Sequence, residues 1–141
     1  MSARLEVRAL LAAKITSLGY TALEYRDEDD AVLSGDLPFV LIQQAGSIDI
    51  TRAEYMMGGT ETHEGSFFVT FAANGRDEAE AMMVSAMAAF AADPTLGGKI
   101  QDIRPDSYGD EDTDTRDYAA IMVEMRVQFC TAPADWSTLL Y

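Results

Sequence analysis

Hydrophobic residues near the start of the chain recur with the period of an α-helix. The stripe runs at i, i+4, i+8 and i+11 and consists of Val7, Leu11, Ile15 and Leu18. Ser2 belongs to the residue types that cap a first helical turn, and Gly19 can adopt the left-handed conformation that ends a helix. The pattern therefore predicts a helix from Ser2 to Leu18.

The next hydrophobic segment has the pattern of a strand. Pro38 precedes a continuous run of β-forming residues at 39–42, which is typical of a strand buried on both faces. Residues 45–47 are small, and we expect them to end this strand. Residues 48–57 alternate loosely before the flexible positions 58–60, so a hairpin arm and a mobile loop are both consistent with this stretch.

A third strand and a second helix follow in the middle of the chain. Phe67, Val69 and Phe71 alternate with smaller or polar residues, which predicts one apolar strand face. Asp77 and Glu80 have the spacing of a capping box. The helix stripe after it consists of Ala79, Met82, Met83, Ala86, Met87 and Phe90. At this spacing the methionines are expected to be core residues.

The last third of the chain predicts two more strands. The second helix stops at Asp93 because Pro94 disfavours helical geometry in the residue before it. Lys99–Arg104 resembles a strand that Pro105 either terminates or confines to an edge. A long final strand alternates almost cleanly, and its apolar positions are Ile121, Val123, Met125, Val127 and Phe129.

These elements follow the order α, β, an optional β, β, α, β, β, with connections short enough for neighbours to pack as two layers. We therefore predict a single α+β domain over residues 1–141. Two helices pack on one face of a mainly antiparallel sheet of four to five strands. An acidic hairpin loop at residues 105–117 is expected to join the last two strands.

Charge is the unusual property of the composition. The 24 Asp and Glu residues against 10 Lys and Arg give a formal net charge of -14. Such a chain repels duplex DNA and anionic membranes, so groove-reading DNA binding and membrane binding are disfavoured. The first thirty residues lack a secretory signal pattern, and no segment approaches the roughly 20 apolar residues needed to cross a bilayer. The single cysteine is consistent with folding in a reducing cytoplasm.

Catalytic and metal-binding patterns are weak in this sequence. The only candidate nucleophile pair is Cys130 with His63, and an inert thiol and a surface imidazole are the favoured interpretation. No phosphate-binding glycine motif occurs. Asp110, Asp112 and Asp114 match the first ligand positions of a calcium loop, but its later positions are Thr115 and Ile121. A zinc site at Glu61, His63 and Glu64 would need a further ligand. We therefore predict no enzyme activity, no metal and no cofactor.

Several local features occur together in a recognisable order. They are the N-terminal helix, the strand that starts at Leu37-Pro38-Phe39-Val40, the helix end Ala92-Asp93-Pro94-Thr95-Leu96-Gly97-Gly98, the strand at Ile100–Arg104, an acidic loop and a long strand ending at Thr131. This combination spans nearly the whole chain. It resembles the tail terminator proteins of long-tailed bacteriophages. These are also called tail completion proteins, or minor tail protein U-like proteins.

The resemblance implies a structural role in a virion. Proteins of this family have an α+β fold and assemble as a hexameric ring on the finished tail tube. The ring stops tube polymerisation and presents a surface to the head-side connector or stopper protein. A homo-oligomer in the neck of the virion, assembled in the host cytoplasm, is therefore expected, with DNA passing through it without specific binding.

In such a ring, carboxylates facing the channel would shorten the residence of a polyanion there. The first candidates for lining the channel are Asp110, Glu111, Asp112 and Asp114, and the second candidates are Asp27–Asp30. A solvated loop without a role is the alternative for both segments. A cyclic ring also needs two different contact patches. The candidates for the interface are Tyr55, Met56 and Met57 in one segment and Trp136, Leu139, Leu140 and Tyr141 in the other.

Three other functions are weighed against this one. Another phage neck or head-tail joining protein would have similar size and fold. An acidic DNA mimic would need carboxylates spaced along one exposed face, whereas the charges here cluster in two loops. A small enzyme has the least support from the sequence.

Overall fold

The computed structural model describes residues 2–23, 37–52, 59–111 and 118–140. Two helices and five strands lie within these ranges, and they form the predicted α+β fold. The elements are α1 (Ala3–Ser17), β1 (Ala22–Leu23), β2 (Phe39–Arg52), β3 (Glu61–Ala73), α2 (Arg76–Ala92), β4 (Asp102–Asp110) and β5 (Ala119–Thr131). The acidic run Asp27–Asp30 lies outside the described residues.

The five strands form one mainly antiparallel sheet in the order β1-β2-β3-β5-β4. β3 and β5 pair along their whole length, from Glu61 opposite Thr131 to Ala73 opposite Ala119. β1 is the one parallel strand in the described part and pairs only with Val40 and Leu41 of β2. Most of β2 is therefore an outer edge on one side of the described sheet, and β4 is the outer edge on the other side.

Both helices pack on the same face of this sheet, as predicted. α1 contacts β1 and β2, whereas α2 contacts β3, β4 and β5. The alternating apolar residues of β3 and β5 point towards the helices, and Phe67, Phe71 and Met125 are fully buried there. The helix stripe of α2 divides as the helical period requires, with Met82 and Phe90 buried and the neighbouring methionines at the margin of the core.

Both predicted ends of α1 are confirmed. Ser2 is the N-cap, and its hydroxyl accepts a hydrogen bond of 3.1 Å from the backbone N–H of Leu5. Gly19, with φ +90, follows the last turn. The predicted end of α2 is also confirmed, because Asp93 is its C-cap. The backbone N–H of Gly97 donates to the Asp93 carboxylate at 3.0 Å, and this bond lowers the pKa of Asp93.

The predicted capping box of α2 is wrong. The helix begins at Arg76, two residues earlier than the box requires, and Gly75 is the N-cap without a side-chain hydrogen bond. Asp77 therefore lies inside the first turn, where its negative charge interacts favourably with the positive end of the helix dipole.

The predicted end of β2 at residues 45–47 is also wrong. β2 continues to Arg52 and pairs with β3, so the hairpin-arm alternative holds for residues 48–52. A β-bulge between Ala45 and Asp49 absorbs the small residues, with Gly46 at φ +58. The bulge explains why a break in the hydrophobic pattern does not end the strand.

Pro105 does not terminate β4. The strand starts at Asp102 rather than Lys99 and runs to Asp110, with a bulge between Pro105 and Ser107. The edge alternative is correct, because an edge strand has hydrogen-bonding partners on only one side. The acidic hairpin loop predicted at residues 105–117 is therefore too long, since its first six residues belong to β4.

We expect Gly65→Ala to destabilise the fold by about 1–3 kcal/mol, the usual cost of overpacking. A Cβ at Gly65 would overlap Ile48 Cδ1 and lie 3.3 Å from Ile48 Cγ1. Equilibrium unfolding in urea measures the change. Gly109→Ala is the matched control, because a Cβ there meets nothing within 4 Å. Adding Ile48→Val to Gly65→Ala should recover part of the loss, and equal stability of the two alanine variants would contradict this packing account.

Candidate functional site

An apolar groove lies on the helix-facing side of the sheet, where α1 begins. Its walls are the first turn of α1, Ile48 and Ile50 of β2, His63 of β3, Phe129 of β5, and Trp136 from the segment after β5. The groove encloses about 380 Å³. These residues are called the apolar groove below.

Strand register brings the floor of the groove together. Ile50 pairs with His63, and His63 pairs with Phe129, so the three residues form one row across β2, β3 and β5. The bulge in β2 places Ile48 over Gly65. Because Gly65 has no side chain, there is room for the isoleucine. The groove thus depends on the β2 bulge that the sequence pattern did not predict.

His63 is buried, and its ring is held by two aromatic neighbours. The imidazole stacks on Phe129, with ring centroids 4.9 Å apart and an interplanar angle of 11°. Trp136 meets it edge-on at 5.6 Å. The sequence-based interpretation of His63 as a surface imidazole in a loop is wrong, because residues 61–66 already belong to β3.

The hydrogen bonds of His63 assign its protonation. Nε2 lies 3.0 Å from the hydroxyl of Thr131, and that hydroxyl donates its own proton to the Ala132 carbonyl at 3.1 Å. Nε2 therefore carries a proton, an assignment made from the bonding pattern. Burial lowers the pKa of His63, and the nearby Glu61 carboxylate opposes this only in part.

Glu61 attaches the segment after β5 to the sheet. Its carboxylate is 3% exposed and accepts a bond of 2.6 Å from the Trp136 indole Nε1 and one of 3.1 Å from the Ala134 amide. The Ala3 amide donates to the Trp136 carbonyl at 2.7 Å. These contacts fix Trp136 as one wall of the groove, between β3 and the first turn of α1.

The rim of the groove is both apolar and accessible. Ile50 is 42% exposed and Trp136 is 51% exposed. Arg4 lines the same groove and donates from Nη2 to the Gly46 carbonyl at 2.9 Å. Its buried Nε has no hydrogen-bond partner among the described residues. The groove can therefore accept an apolar or aromatic side chain.

The candidate nucleophile pair of Cys130 and His63 is not assembled at this site. Cys130 neighbours Phe129 in β5, so its side chain lies on the opposite face of the sheet from His63. Its Sγ lies 3.5 Å from Thr62 Oγ1 on that opposite face. Glu64 is also on the opposite face, so the zinc set of Glu61, His63 and Glu64 is not brought together. In the part of the chain that the structure describes, no three His, Cys, Asp or Glu residues cluster around a possible metal position.

The helix-free face of the sheet carries a network of ion pairs. Arg126 Nε donates to Glu64 at 3.1 Å, and Asp49 lies 4.0 Å from the same guanidinium. Arg104 approaches Glu64 at 3.9 Å. The hydrogen bond that Arg126 donates to Glu64 is the main reason why the pKa of Arg126 is raised. Acids surround both arginines, so the network is a poor site for an anion.

Two of the four residues that were predicted to line a channel lie in the described part of the chain. Asp110 ends β4, and its carboxylate pairs with Arg76 of α2 at 2.9 Å. Glu111 is exposed, with its backbone N–H bonded to the Ala120 carbonyl at 2.9 Å. Asp112 and Asp114 lie outside the described residues.

Three of the predicted interface residues lie in the described part of the chain. Leu139 is buried in the core of its own subunit, whereas Leu140 is partly exposed and its backbone N–H bonds to the Cys130 carbonyl at 2.9 Å. Trp136 lies in the groove wall. The remaining candidates, Tyr55, Met56, Met57 and Tyr141, lie outside the described residues.

Sequence reasoning missed Ile48, Ile50, His63 and Phe129 as parts of one site. One signal for the histidine was available, because Glu61, His63 and Gly65 continue the two-residue period of Phe67. No local signal marks the groove as a whole, since its walls come from separate elements.

Comparison with known proteins gives matches among solved structures only. No protein-family model and no curated protein matches the chain. A chain in a solved structure described as the virion of a native gene transfer agent particle is similar with 14% identity and a TM-score of 0.47. The match covers 87% of this chain and 86% of that chain. Similarity at this level does not establish a shared role.

None of the described helices combines the length and the apolar character that crossing a bilayer requires.

We expect the folded state to lose stability as the pH falls through about 6.5, the ordinary pKa of an imidazole. Because the pKa of His63 is lowered in the folded protein, protonation favours the unfolded chain. The contribution is fully present above about pH 6.5 and is lost below it. Urea unfolding of the wild type and of His63→Gln, measured between about pH 8 and pH 5.5, isolates this effect from that of the carboxylates.

In this comparison the stability of the wild type relative to His63→Gln should decrease towards acid pH. Glu61 and Arg4 are the other charged groups at the groove and are present in both proteins. A difference that does not vary with pH would contradict the assignment of a neutral, buried His63.

Proposed function

We propose that this chain is a structural virion protein of a tailed phage or a phage-like particle. The observation that carries the proposal is the apolar groove, whose rim exposes Trp136 and Ile50 on an otherwise strongly acidic chain. Exposed aromatic and aliphatic side chains beside a preformed depression are typical of protein contact sites. Cys130 and His63 lie on opposite faces of the sheet, and the Thr131 hydroxyl beside His63 is fully buried, so an assembly role is better supported than catalysis.

Within this class we propose the role of a tail terminator. The support is the ordered set of sequence features that resembles that family, together with the element order of the fold. A ring of subunits, by that resemblance a hexamer, would cap the tail tube, end its polymerisation and contact the head-side connector. Its location would be the neck of the virion, after assembly in the host cytoplasm.

The charge of the chain is consistent with DNA passage through such a ring. A net charge of -14 on each subunit disfavours retention of a polyanion. We propose the segment of Asp110, Glu111, Asp112 and Asp114 as the channel lining. Asp110 contributes less free charge than sequence reasoning assumed, since Arg76 partly neutralises it.

Another neck or head-tail joining protein is the second candidate, because the same groove and the same charge suit a ring elsewhere in the neck. The acidic DNA mimic is less well supported. On the helix-free sheet face, Glu64 and Asp49 are paired with Arg126 rather than presented as a free row of carboxylates.

We expect the purified protein to form rings and to bind the ends of tail tubes. Native mass spectrometry of the protein alone should give a closed oligomer. Electron microscopy after mixing with the tail tube protein of the same particle should show rings at tube ends and an arrest of tube growth. Rings that bind only the connector would favour the second candidate. A protein that stays monomeric and leaves tube growth unchanged would contradict both roles.

A further inference from the structure

We infer that Tyr108 of one copy of this chain inserts into the apolar groove of the next copy. This inference rests on the proposed ring-forming function and names the contact that would build the ring. The two partners, Tyr108 and the apolar groove, both lie in the described part of the chain. Tyr108 and the rim of the groove are exposed in the single subunit.

Tyr108 is the most exposed large hydrophobic side chain of the described residues, at 71%. It lies on the edge strand β4 opposite Val123, so it points towards the helix-bearing side of the sheet. An aromatic side chain that is left in water on an edge strand is a frequent anchor of a protein contact, because tyrosine buries a large area with few rotatable bonds.

The groove matches such an anchor in size and chemistry. It encloses about 380 Å³, and Phe129, Trp136 and Ile50 provide apolar contacts for an aromatic ring. Arg4 also lines the groove, and its guanidinium is a hydrogen-bond donor whose bond a tyrosine hydroxyl can accept and a phenylalanine cannot.

The positions of the two surfaces fit a head-to-tail assembly. Tyr108 is on β4, at one edge of the sheet, and the groove opens beside β2, at the other edge. A contact between opposite edges joins two different patches, which is the heterologous interface that a cyclic ring requires. A two-fold dimer would instead bring identical patches together.

Charge favours the same pairing. β4 carries Asp102, Asp106 and Asp110 against the single Arg104, whereas Arg4 of the net basic helix α1 lines the groove. Copies with a net charge of -14 repel one another in most orientations. Placing the acidic edge of one copy beside the basic helix of the next reduces this repulsion and fixes the orientation.

The first test compares assembly of four proteins by native mass spectrometry and sedimentation. Tyr108→Ser should raise the dissociation constant between subunits at least tenfold, as expected for loss of a central anchor. Tyr108→Phe keeps the ring but loses the acceptor for Arg4, so its loss should be smaller. Val84→Ser is the matched control, because Val84 is 64% exposed on α2 and does not line the groove. All three variants alter exposed side chains and should keep the wild-type circular dichroism spectrum.

The second test identifies the contact directly. A photo-crosslinking benzoylphenylalanine at position 108 is mixed with an isotope-labelled copy that lacks it. Irradiation should give adducts between the two copies at residues 48–50 or at Trp136.

Two outcomes would overturn the inference and leave the ring function intact. One is ring formation by Tyr108→Ser at wild-type concentrations. The other is an adduct that lies elsewhere or within one copy. A wild-type protein that stays monomeric at every concentration and on tail tubes would overturn the inference and the proposed function together.

Discussion

The hydrogen bonds of the buried Glu61 carboxylate organise the end of the sheet on which the candidate site depends. A carboxylate with 3% exposure is costly to bury unless its oxygens are satisfied, and here the Trp136 indole and the Ala134 amide satisfy them. The same bonds hold the segment after β5 across the start of β3. Without them the groove would lose a wall, and His63 would lose one of its two aromatic neighbours.

Elements with a sustained period were predictable from the sequence. β5 alternates over its whole length, and α1 has both a capping serine and a terminal glycine, so each was predicted close to its observed bounds. The errors occur where one residue changes the backbone. Gly46 resembles a strand breaker but forms a bulge, and Pro105 is tolerated because β4 is an edge. The groove could not be predicted, since pairing of Ile50 with His63 is a property of the register.

The apolar groove and the net negative charge of the chain both support the proposed role in assembly. Most of the surface keeps copies apart through its negative charge, whereas the groove rim and Tyr108 expose apolar area at opposite edges of the sheet. An assembly of such subunits is held by a few desolvated side chains and oriented by charge. The opposite sheet face has its charges paired across four strands, which leaves the groove as the best-supported contact surface.

Solvent access to Trp136 tests the central claim most directly, because it is the single tryptophan of the chain and forms a wall of the groove. Acrylamide quenching of its fluorescence can be followed across a concentration series in which subunits assemble. The account predicts that assembled protein is quenched less and emits at shorter wavelengths than the monomer. Assemblies in which Trp136 is as accessible as in the monomer would contradict it.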